Sequence, residues 1–228
     1  MTAGEQAGFG PDRPARLIVF DLDGTLVDSI RDLASAVNAA LAWAAPGTPP
    51  LPLDDIRAFV GEGTRVLVER SLKRADIGRT ADEVLPVYLE SYRSRLLDTT
   101  RLYPGVGEAL DRLEDRTLAV LTNKPGELSR RILEGLGVAS RFARIWGPDD
   151  AQARKPDPAG LLRLMRELRA DPGDTVMVGD SPIDIATGRA AGVRTVGAVW
   201  GLDPEALRVD PPDLLIDDLR ELADRLDR

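Results

Sequence analysis

Two aspartates follow a short apolar run near the beginning of the chain. Asp21 and Asp23 come directly after residues 17–20, and Gly24 follows them. Carboxylates two residues apart at a strand end can point the same way, and Gly24 permits the turn that must come next. When buried there, the two acids repel each other and need a cation or a shared proton. The pair therefore indicates a catalytic or cation-binding site, with a solvated strand-to-turn junction as the alternative.

A second acidic pair follows the apolar run 175–178. Asp180 lies at the predicted strand end, and Asp184 lies one turn further on, at the beginning of a predicted helix. Acids at a helix N-terminus often only complement the helix dipole. The alternative is that both carboxylates belong to the same site as the first pair.

Weaker signals follow two other stretches. Thr122 and Asn123 come after the apolar run 118–121, and Lys155 stands in a loop before a proline. If the strands are parallel, all these residues meet at one edge of the sheet. Four carboxylates and one lysine there would be untenable without a cation such as Mg2+. With the cation, the site suits a phosphoryl group, whose oxygens require a metal, positive charge and hydrogen-bond donors.

The elements that would position these residues alternate between strand and helix. Five apolar runs are predicted to be strands: residues 16–20, 118–121, 142–146, 175–178 and 195–199. Amphipathic helical patterns lie between most of them. This alternation predicts an α/β fold with a parallel sheet covered on both faces. We expect the core to comprise residues 16–28 and 100–228, and residues 1–15 to form a flexible arm.

Residues 29–99 show no strand pattern. Leu33, Val37 and Leu41 belong to one apolar helical stripe, and Ser29 with Asp32 is predicted to form a capping box at its beginning. Further helices are predicted over residues 53–60, 64–73 and 80–97, where Pro86 is expected to kink the last helix or mark its true beginning. We interpret this segment as an all-helical insert.

Composition restricts the chemistry. The chain has 228 residues, a net charge of −8, no Cys and no His. Thiol and histidine nucleophile systems are thereby excluded, as are most catalytic zinc sites. Any metal is expected to be a hard, oxygen-bound cation. The acidic balance argues against binding to nucleic acids or anionic membranes, no membrane-spanning run is present, and the lack of Cys is compatible with a cytoplasmic location.

The motifs Asp21-Leu22-Asp23-Gly24-Thr25, Thr122, Lys155 and Gly179-Asp180 through Asp184 resemble, in order and spacing, the four motifs of the haloacid dehalogenase superfamily. The resemblance covers nearly the whole chain beyond the arm. It implies a Rossmann-like core with the helical segment 29–99 as a mobile cap.

The resemblance also implies a role for each motif residue. Asp21 would attack phosphorus and form an aspartyl-phosphate, and Asp23 would act as general acid and base. Asp21, the backbone carbonyl of Asp23, and Asp180 would bind Mg2+, with Mn2+ and Co2+ as alternative ions. Asp184 would lie outside the first set of ligands or hold Lys155. The phosphoryl oxygens would be bound by Thr122 and Lys155, and Asn123, which lies nearby, would also bind the substrate.

Dehalogenases of this superfamily lack an acid at the position of Asp23, so phosphoryl chemistry is favoured here. A phosphatase is preferred to a phosphomutase of the β-phosphoglucomutase kind, to a pyrophosphatase, and to a catalytically silent binding protein. The expected partner is a small phosphorylated metabolite, and the chain is expected to be a monomer or a homodimer.

Within the superfamily, the chain most resembles phosphoglycolate phosphatases, which makes 2-phosphoglycolate the expected substrate. Gly61, Glu62 and Arg65 are similar in placement to the specificity loop of that group, where Arg65 would meet the substrate carboxylate. Two departures bear on the substrate. Glu62 stands where the group usually has a neutral residue, and Pro182-Ile183 stands where it usually has a polar pair.

Overall fold

Six parallel strands form one sheet that carries both acidic pairs. The computed structural model describes residues 14–226. The eight strands are β1 (Leu17–Phe20), β2 (Val27–Asp28), β3 (Arg101–Leu102), β4 (Thr117–Leu121), β5 (Arg144–Trp146), β6 (Thr175–Gly179), β7 (Arg194–Ala198) and β8 (Leu214–Ile216). The sheet order is β5-β4-β1-β6-β7-β8, with all neighbours parallel. The predicted parallel α/β architecture is confirmed.

Both faces of this sheet are buried. In β1, Ile18 and Phe20 pack into one apolar cluster, and Leu17 and Val19 pack into a second cluster on the opposite face. Alternate side chains of a strand point to opposite faces, so a strand covered on both sides is apolar throughout. This explains the continuous apolar run before Asp21.

Eleven α-helices are described, mostly on the two faces of the sheet and between β2 and β3. They are α1 (Ile30–Ala44), α2 (Leu53–Arg57), α3 (Thr64–Arg74), α4 (Ala81–Arg93), α5 (Val106–Arg112), α6 (Gly126–Gly135), α7 (Pro148–Ala151), α8 (Ala159–Leu168), α9 (Pro182–Ala190), α10 (Pro204–Val209) and α11 (Glu221–Leu226). Residues 139–141 and 172–174 form short 3-10 turns.

Helices α1 to α4 occupy the segment that lacked strand patterns. The stripe through Leu33, Val37 and Leu41 is buried, as predicted, and α1 packs against α4. At the two ends of the segment, β2 and β3 pair antiparallel, with Asp28 opposite Arg101. This two-stranded ribbon brings the beginning and end of the helical segment together.

The predicted capping box was wrong, because no Ser29–Asp32 capping box is present at the beginning of α1. Asp32, which is 1% exposed, instead accepts hydrogen bonds from the backbone and hydroxyl groups of Thr99 and Thr100. A local pattern could not foresee these long-range donors. Of the two roles predicted for Pro86, its position inside α4 excludes the beginning of the helix, and the kink stays a prediction.

Other differences concern boundaries. Strands β2, β3 and β8 were not predicted, because two or three residues give too little periodicity. The predicted helix 80–97 ends at Arg93. The predicted arm 1–15 lies outside the described residues except for Pro14, which is exposed, and Ala15, which is 2% exposed.

Candidate active site

Asp21 follows the central strand of the sheet. Its backbone N–H donates to the Val178 carbonyl, which extends the β1–β6 ladder by one residue. Because β1 lies between β4 and β6, the residues that follow those two strands, Thr122 and Asp180, flank Asp21. The order of the sheet therefore brings three of the sequence motifs to one place, at the carboxyl edge of the strands.

Three buried carboxylates form a cluster around this point. One oxygen from each of Asp21, Asp180 and Asp184 lies within 4.8 Å of the other two. Burial raises the pKa of Asp21 to about 6, with Lys155 opposing the rise and Asp184 adding to it. Burial, Asp184 and Asp21 together raise the pKa of Asp180. Such a set of dehydrated oxygen ligands is suited to a metal ion.

The Asp180 carboxylate is held by groups from two loops. Thr25 Oγ1 donates to Oδ1 at 3.0 Å, and the Leu202 N–H donates to Oδ2 at 2.8 Å. Gly24 has a φ of +88°, and a Cβ there would lie 2.1 Å from Asp180 Oδ2. The glycine of the first motif is thus needed for both its backbone conformation and the space that Asp180 occupies.

Lys155 is the cation within this cluster. Its Nζ lies 2.7 Å from Asp21 Oδ1 and 2.6 Å from Asp184 Oδ1. The Asp21 contact is an ion pair rather than a well-directed hydrogen bond. Burial lowers the pKa of Lys155, but Asp184 and Asp21 outweigh it and leave the pKa above its usual range. Three carboxylates and one ammonium leave this cluster about two negative charges in excess, which a divalent cation would offset.

Asn123 was predicted to bind substrate, but its side-chain amide is already engaged. Asn123 Oδ1 accepts from the Lys155 N–H, and Nδ2 donates to the Lys155 and Gly61 carbonyls. A carboxamide has only two N–H donors, so none is left for a phosphoryl oxygen. The side chain instead ties the Lys155 backbone to the loop before α3.

Asp23 lies at the edge of the cluster and has separate partners. Lys124 Nζ donates to its two oxygens at 2.8 and 2.6 Å, and Ser29 Oγ also donates to Oδ1. Lys124 is 6% exposed, and its ammonium lies 4.7 Å from the centre of the Tyr92 ring. These contacts hold the Asp23 carboxylate in one orientation beside Asp21.

Sequence reasoning passed over Lys124, although a signal was available. Of 30 basic residues only three are lysines, Lys73, Lys124 and Lys155. Arginine and lysine are not interchangeable where a compact point charge is needed. In a chain that otherwise uses arginine, a lysine directly after a predicted strand end marks such a position.

Two cavities open at Asp21 and Asp23. The inner cavity lies under the helical segment and is lined in part by Val60, Gly61, Gly63, Leu67, Tyr88, Tyr92, Thr122 and Lys124. The outer cavity extends past Asp180 and is lined in part by Arg57, Gly61, Glu62, Arg70, Ile183 and Leu202. Thr122, which is only 4% exposed, lines the inner cavity together with Asp21.

The predicted specificity residues separate in the structure. Gly61 borders both cavities, and Glu62 borders the outer cavity while paired with Arg70. Arg65 is not brought to the site, because its guanidinium pairs with Glu69 and Asp82 on the surface of α3 and α4. Arg70, five residues further along α3, is the arginine of that helix that borders the outer cavity.

This arrangement agrees with the comparison with known proteins. Residues 18–198 match the haloacid dehalogenase-like hydrolase family. The match covers well over half of the chain and includes all four motifs. The protein belongs to the haloacid dehalogenase-like hydrolases, as the motif resemblance predicted.

More specific similarities lie within that family. The chain is 38% identical to phosphoglycolate phosphatase 1 of Pseudomonas aeruginosa, over 97% of this chain and 83% of that protein. It is 37% identical to phosphoglycolate phosphatase of Psychrobacter arcticus, over 92% and 95%. The fold matches the crystal structure of a predicted phosphoglycolate phosphatase from Haemophilus somnus with a TM-score of 0.85 and 32% identity, over 92% and 97% of the two chains.

Within residues 14–226, none of the helices is long and apolar enough to cross a bilayer.

Proposed function

We propose that the protein hydrolyses 2-phosphoglycolate to glycolate and phosphate, with Mg2+ and through an aspartyl-phosphate formed on Asp21. The observation that carries the proposal is the placement of Asp21 between the Lys155 ammonium and the carboxylates of Asp180 and Asp184. A nucleophilic carboxylate is ionised at neutral pH without a separate base. This suits a chain that has neither Cys nor His.

The carboxylate cluster fits Mg2+, which prefers oxygen ligands. Asp21 and Asp180, with the backbone carbonyl of Asp23, would hold the ion. The oxygens of Asp184 already accept from Lys155 and Ser181, which favours an outer position for this residue. When bound, the ion supplies positive charge that offsets the charge on the phosphoryl oxygens.

In the first step, a carboxylate oxygen of Asp21 attacks phosphorus while the bond from phosphorus to the ester oxygen breaks. Thr122 and Lys155 bind the phosphoryl oxygens and orient them for this attack. Asp23 gives its proton to the departing alkoxide, so that glycolate leaves as an alcohol. The products of this step are glycolate and the aspartyl-phosphate on Asp21.

In the second step, water attacks the same phosphorus atom. Asp23, now ionised, accepts a proton from that water, and the bond between phosphorus and the Asp21 oxygen breaks. Inorganic phosphate leaves, and Asp21 and Asp23 return to their initial states. Lys124 and Ser29 keep Asp23 in place for both proton transfers.

The substrate assignment rests on the names of the relatives and on the inner cavity. The similar proteins of Pseudomonas aeruginosa and Psychrobacter arcticus are phosphoglycolate phosphatases. The inner cavity next to Asp21 is small, which favours a leaving group of a few atoms. Segment 29–99 would act as a cap over the core 16–28 and 100–228. A cytoplasmic location, a monomeric or homodimeric state and the absence of nucleic-acid binding stay predictions.

The test is phosphate release from a panel of small esters, including 2-phosphoglycolate, with Mg2+ and with chelator. We expect 2-phosphoglycolate to give the highest kcat/KM and chelator to abolish release. Asp21→Asn should lower kcat by at least about 10³-fold, because a carboxamide is not a comparable nucleophile.

Asp217→Asn is the matched control, since Asp217 also follows a strand at this edge but is exposed at the end of β8. It should retain wild-type activity. Hydrolysis of other esters without 2-phosphoglycolate would refute the substrate and keep the chemistry. No metal-dependent release from any ester would refute the phosphatase, and isomerisation of a sugar phosphate would identify a mutase.

A further inference from the structure

The inner cavity has room for only a small chemical group. The cavity has a volume of about 40 Å³, and a single water already needs roughly 10–15 Å³. The volume therefore suits a group of only a few atoms. Much of the wall is apolar, with Leu33, Val60 and Leu67 on the side of the helical segment.

Two hydroxyl groups in this wall make no hydrogen bond. Tyr88 and Tyr92 are both fully buried on α4 and line the cavity, but the Tyr92 hydroxyl lies next to Ser29, which leaves Tyr88 as the one without a polar neighbour of this kind. Buried hydroxyl groups are nearly always paired, so a missing partner needs an explanation. Burial raises the pKa of Tyr88 above its usual range, so the phenol is protonated at neutral pH. Tyr88 thus contributes a hydrogen-bond donor without a partner to the wall of the cavity.

A cation stands in the same wall. Lys124 lines the cavity, and its ammonium forms an ion pair with Asp23. An ammonium has three N–H donors, and the two oxygens of Asp23 use at most two of them. The third donor has no carboxylate partner among the described residues, and the ammonium also lies 4.7 Å from the centre of the Tyr92 ring.

We propose that Tyr88 and Lys124 form the receptor for the carboxylate of the substrate and so determine its specificity. This inference rests on the proposed function and adds the chemical class: phosphate monoesters that carry a carboxylate two atoms from the ester oxygen. The phenol donates one hydrogen bond to the carboxylate, and the ammonium supplies charge and a second donor. Bonds to a charged group are the stronger kind.

The outer cavity offers the competing site. Arg57 and Arg70 line this cavity, which has a volume of about 290 Å³. Arg70, however, is paired with Glu62 and is partly exposed, so a substrate anion would have to displace that acid. The inner receptor needs no displacement at Tyr88, which is why the observations favour it.

The test compares kcat/KM for 2-phosphoglycolate with that for ethyl phosphate, which has a methyl group in place of the carboxylate. In Tyr88→Phe and in Lys124→Met, we expect the ratio of the two values to fall about tenfold or more. Tyr103→Phe makes the same chemical change outside the cavity and should keep the ratio within about twofold. Thermal unfolding of each variant checks that it is folded.

A ratio unchanged in both Tyr88→Phe and Lys124→Met would overturn the proposal. A fall confined to Arg70→Met would overturn it in favour of the outer cavity. Inhibition of ethyl phosphate hydrolysis by glycolate gives a measure that does not depend on the natural substrate. If the wild type does not hydrolyse 2-phosphoglycolate, the proposed substrate fails, while an inhibition constant for glycolate that rises about tenfold in Tyr88→Phe would still support the receptor. No inhibition of the wild type by glycolate would refute it.

Discussion

The two sides of the active site consist of different kinds of side chain. The sheet side is the carboxyl edge of the sheet with its loops, and the helical side is the surface of segment 29–99 that faces it. On the sheet side, Asp21 and Asp180 follow strands, Asp184 lies on α9 and Lys155 lies in the loop before α8; all four are buried and charged. On the helical side, the wall is mostly aliphatic and aromatic, and the Tyr88 hydroxyl is unpaired. The first side carries an excess of negative charge that a divalent cation would offset, whereas the second leaves a hydrogen-bond donor without a partner.

This contrast separates reactivity from selectivity. Groups at the ends of hydrogen-bonded strands are positioned rigidly, as a reacting centre requires. Groups on α4 are positioned by the packing of the helical segment on the core. Substitutions on the sheet side should therefore abolish turnover of every ester, and substitutions on the helical side should change which ester is preferred.

The largest effect is expected from removing the cation of the sheet side. Lys155→Met leaves Asp21 and Asp184 without their shared ammonium, and it removes a donor to the phosphoryl oxygens. We expect kcat to fall by about 10²–10³-fold for all esters. Lys73→Met, on the exposed surface of α3, is the control. A loss restricted to carboxylate-bearing esters would contradict the division between the two sides.

A large effect on stability is expected at the junction of the helical segment. Asp32→Asn places an NH2 group against the donors of Thr99 and Thr100. The free energy of unfolding at pH 7, measured with urea, should fall by about 2–3 kcal/mol. A loss below about 0.5 kcal/mol, the size typical of surface changes, would show that these contacts contribute little.

The same variant tests a dependence on pH. Burial raises the pKa of Asp32, but the hydrogen bonds from Thr99 and Thr100 outweigh it, so the pKa lies below its usual range. A carboxylate with a lowered pKa in the folded state contributes stability above its unfolded pKa and loses it as the pH falls. The difference between wild type and Asp32→Asn should therefore shrink below about pH 4. A difference that grows in acid would contradict this.

A moderate effect is expected on cation binding. Asp180→Asn removes one charge from the carboxylate cluster, and the Mg2+ concentration for half-maximal thermal stabilisation should rise at least about tenfold. Asp217→Asn should match the wild type. An unchanged Mg2+ dependence in Asp180→Asn would exclude this carboxylate from the cation site.

The smallest effect is expected at Arg65. Its side chain is 43% exposed and pairs with acids on the surface of the helices, and such pairs contribute little. Arg65→Gln should change kcat/KM for 2-phosphoglycolate by less than about threefold. A loss of tenfold or more would place Arg65 at the substrate in a closed form of the enzyme.

The contrast also explains what could be predicted from the sequence. The sheet side depends on short motifs at strand ends, and the parallel order of neighbouring strands is enough to bring Asp21, Thr122 and Asp180 together. Side-chain chemistry at these places is visible in the sequence because apolar runs precede it. The meeting of Asp21, Thr122 and Asp180 was within reach for this reason, whereas the contact of Lys155 with Asp184 was expected only from the family resemblance.

The helical side was less predictable, because its geometry depends on packing between helices far apart in the chain. Tyr88 fits the apolar stripe of α4, and nothing in the stripe shows that its hydroxyl faces a cavity. From the sequence, either Arg65 or Arg70 of α3 could belong to the site. Only the rotation of the helix decides that Arg70 borders the outer cavity. Asp32 fits the local capping pattern, but its carboxylate instead accepts hydrogen bonds from residues 99 and 100, far away in the chain.

The distribution of the lysines has a practical consequence for labelling. Two of the three are buried against carboxylates, while Lys73 is exposed near the end of α3. Apart from the amino terminus, a reagent directed at primary amines therefore meets a single accessible side chain, outside both cavities. Attachment of a fluorophore or a solid support through Lys73 would hold every molecule by the same point and leave the entrance to the site clear.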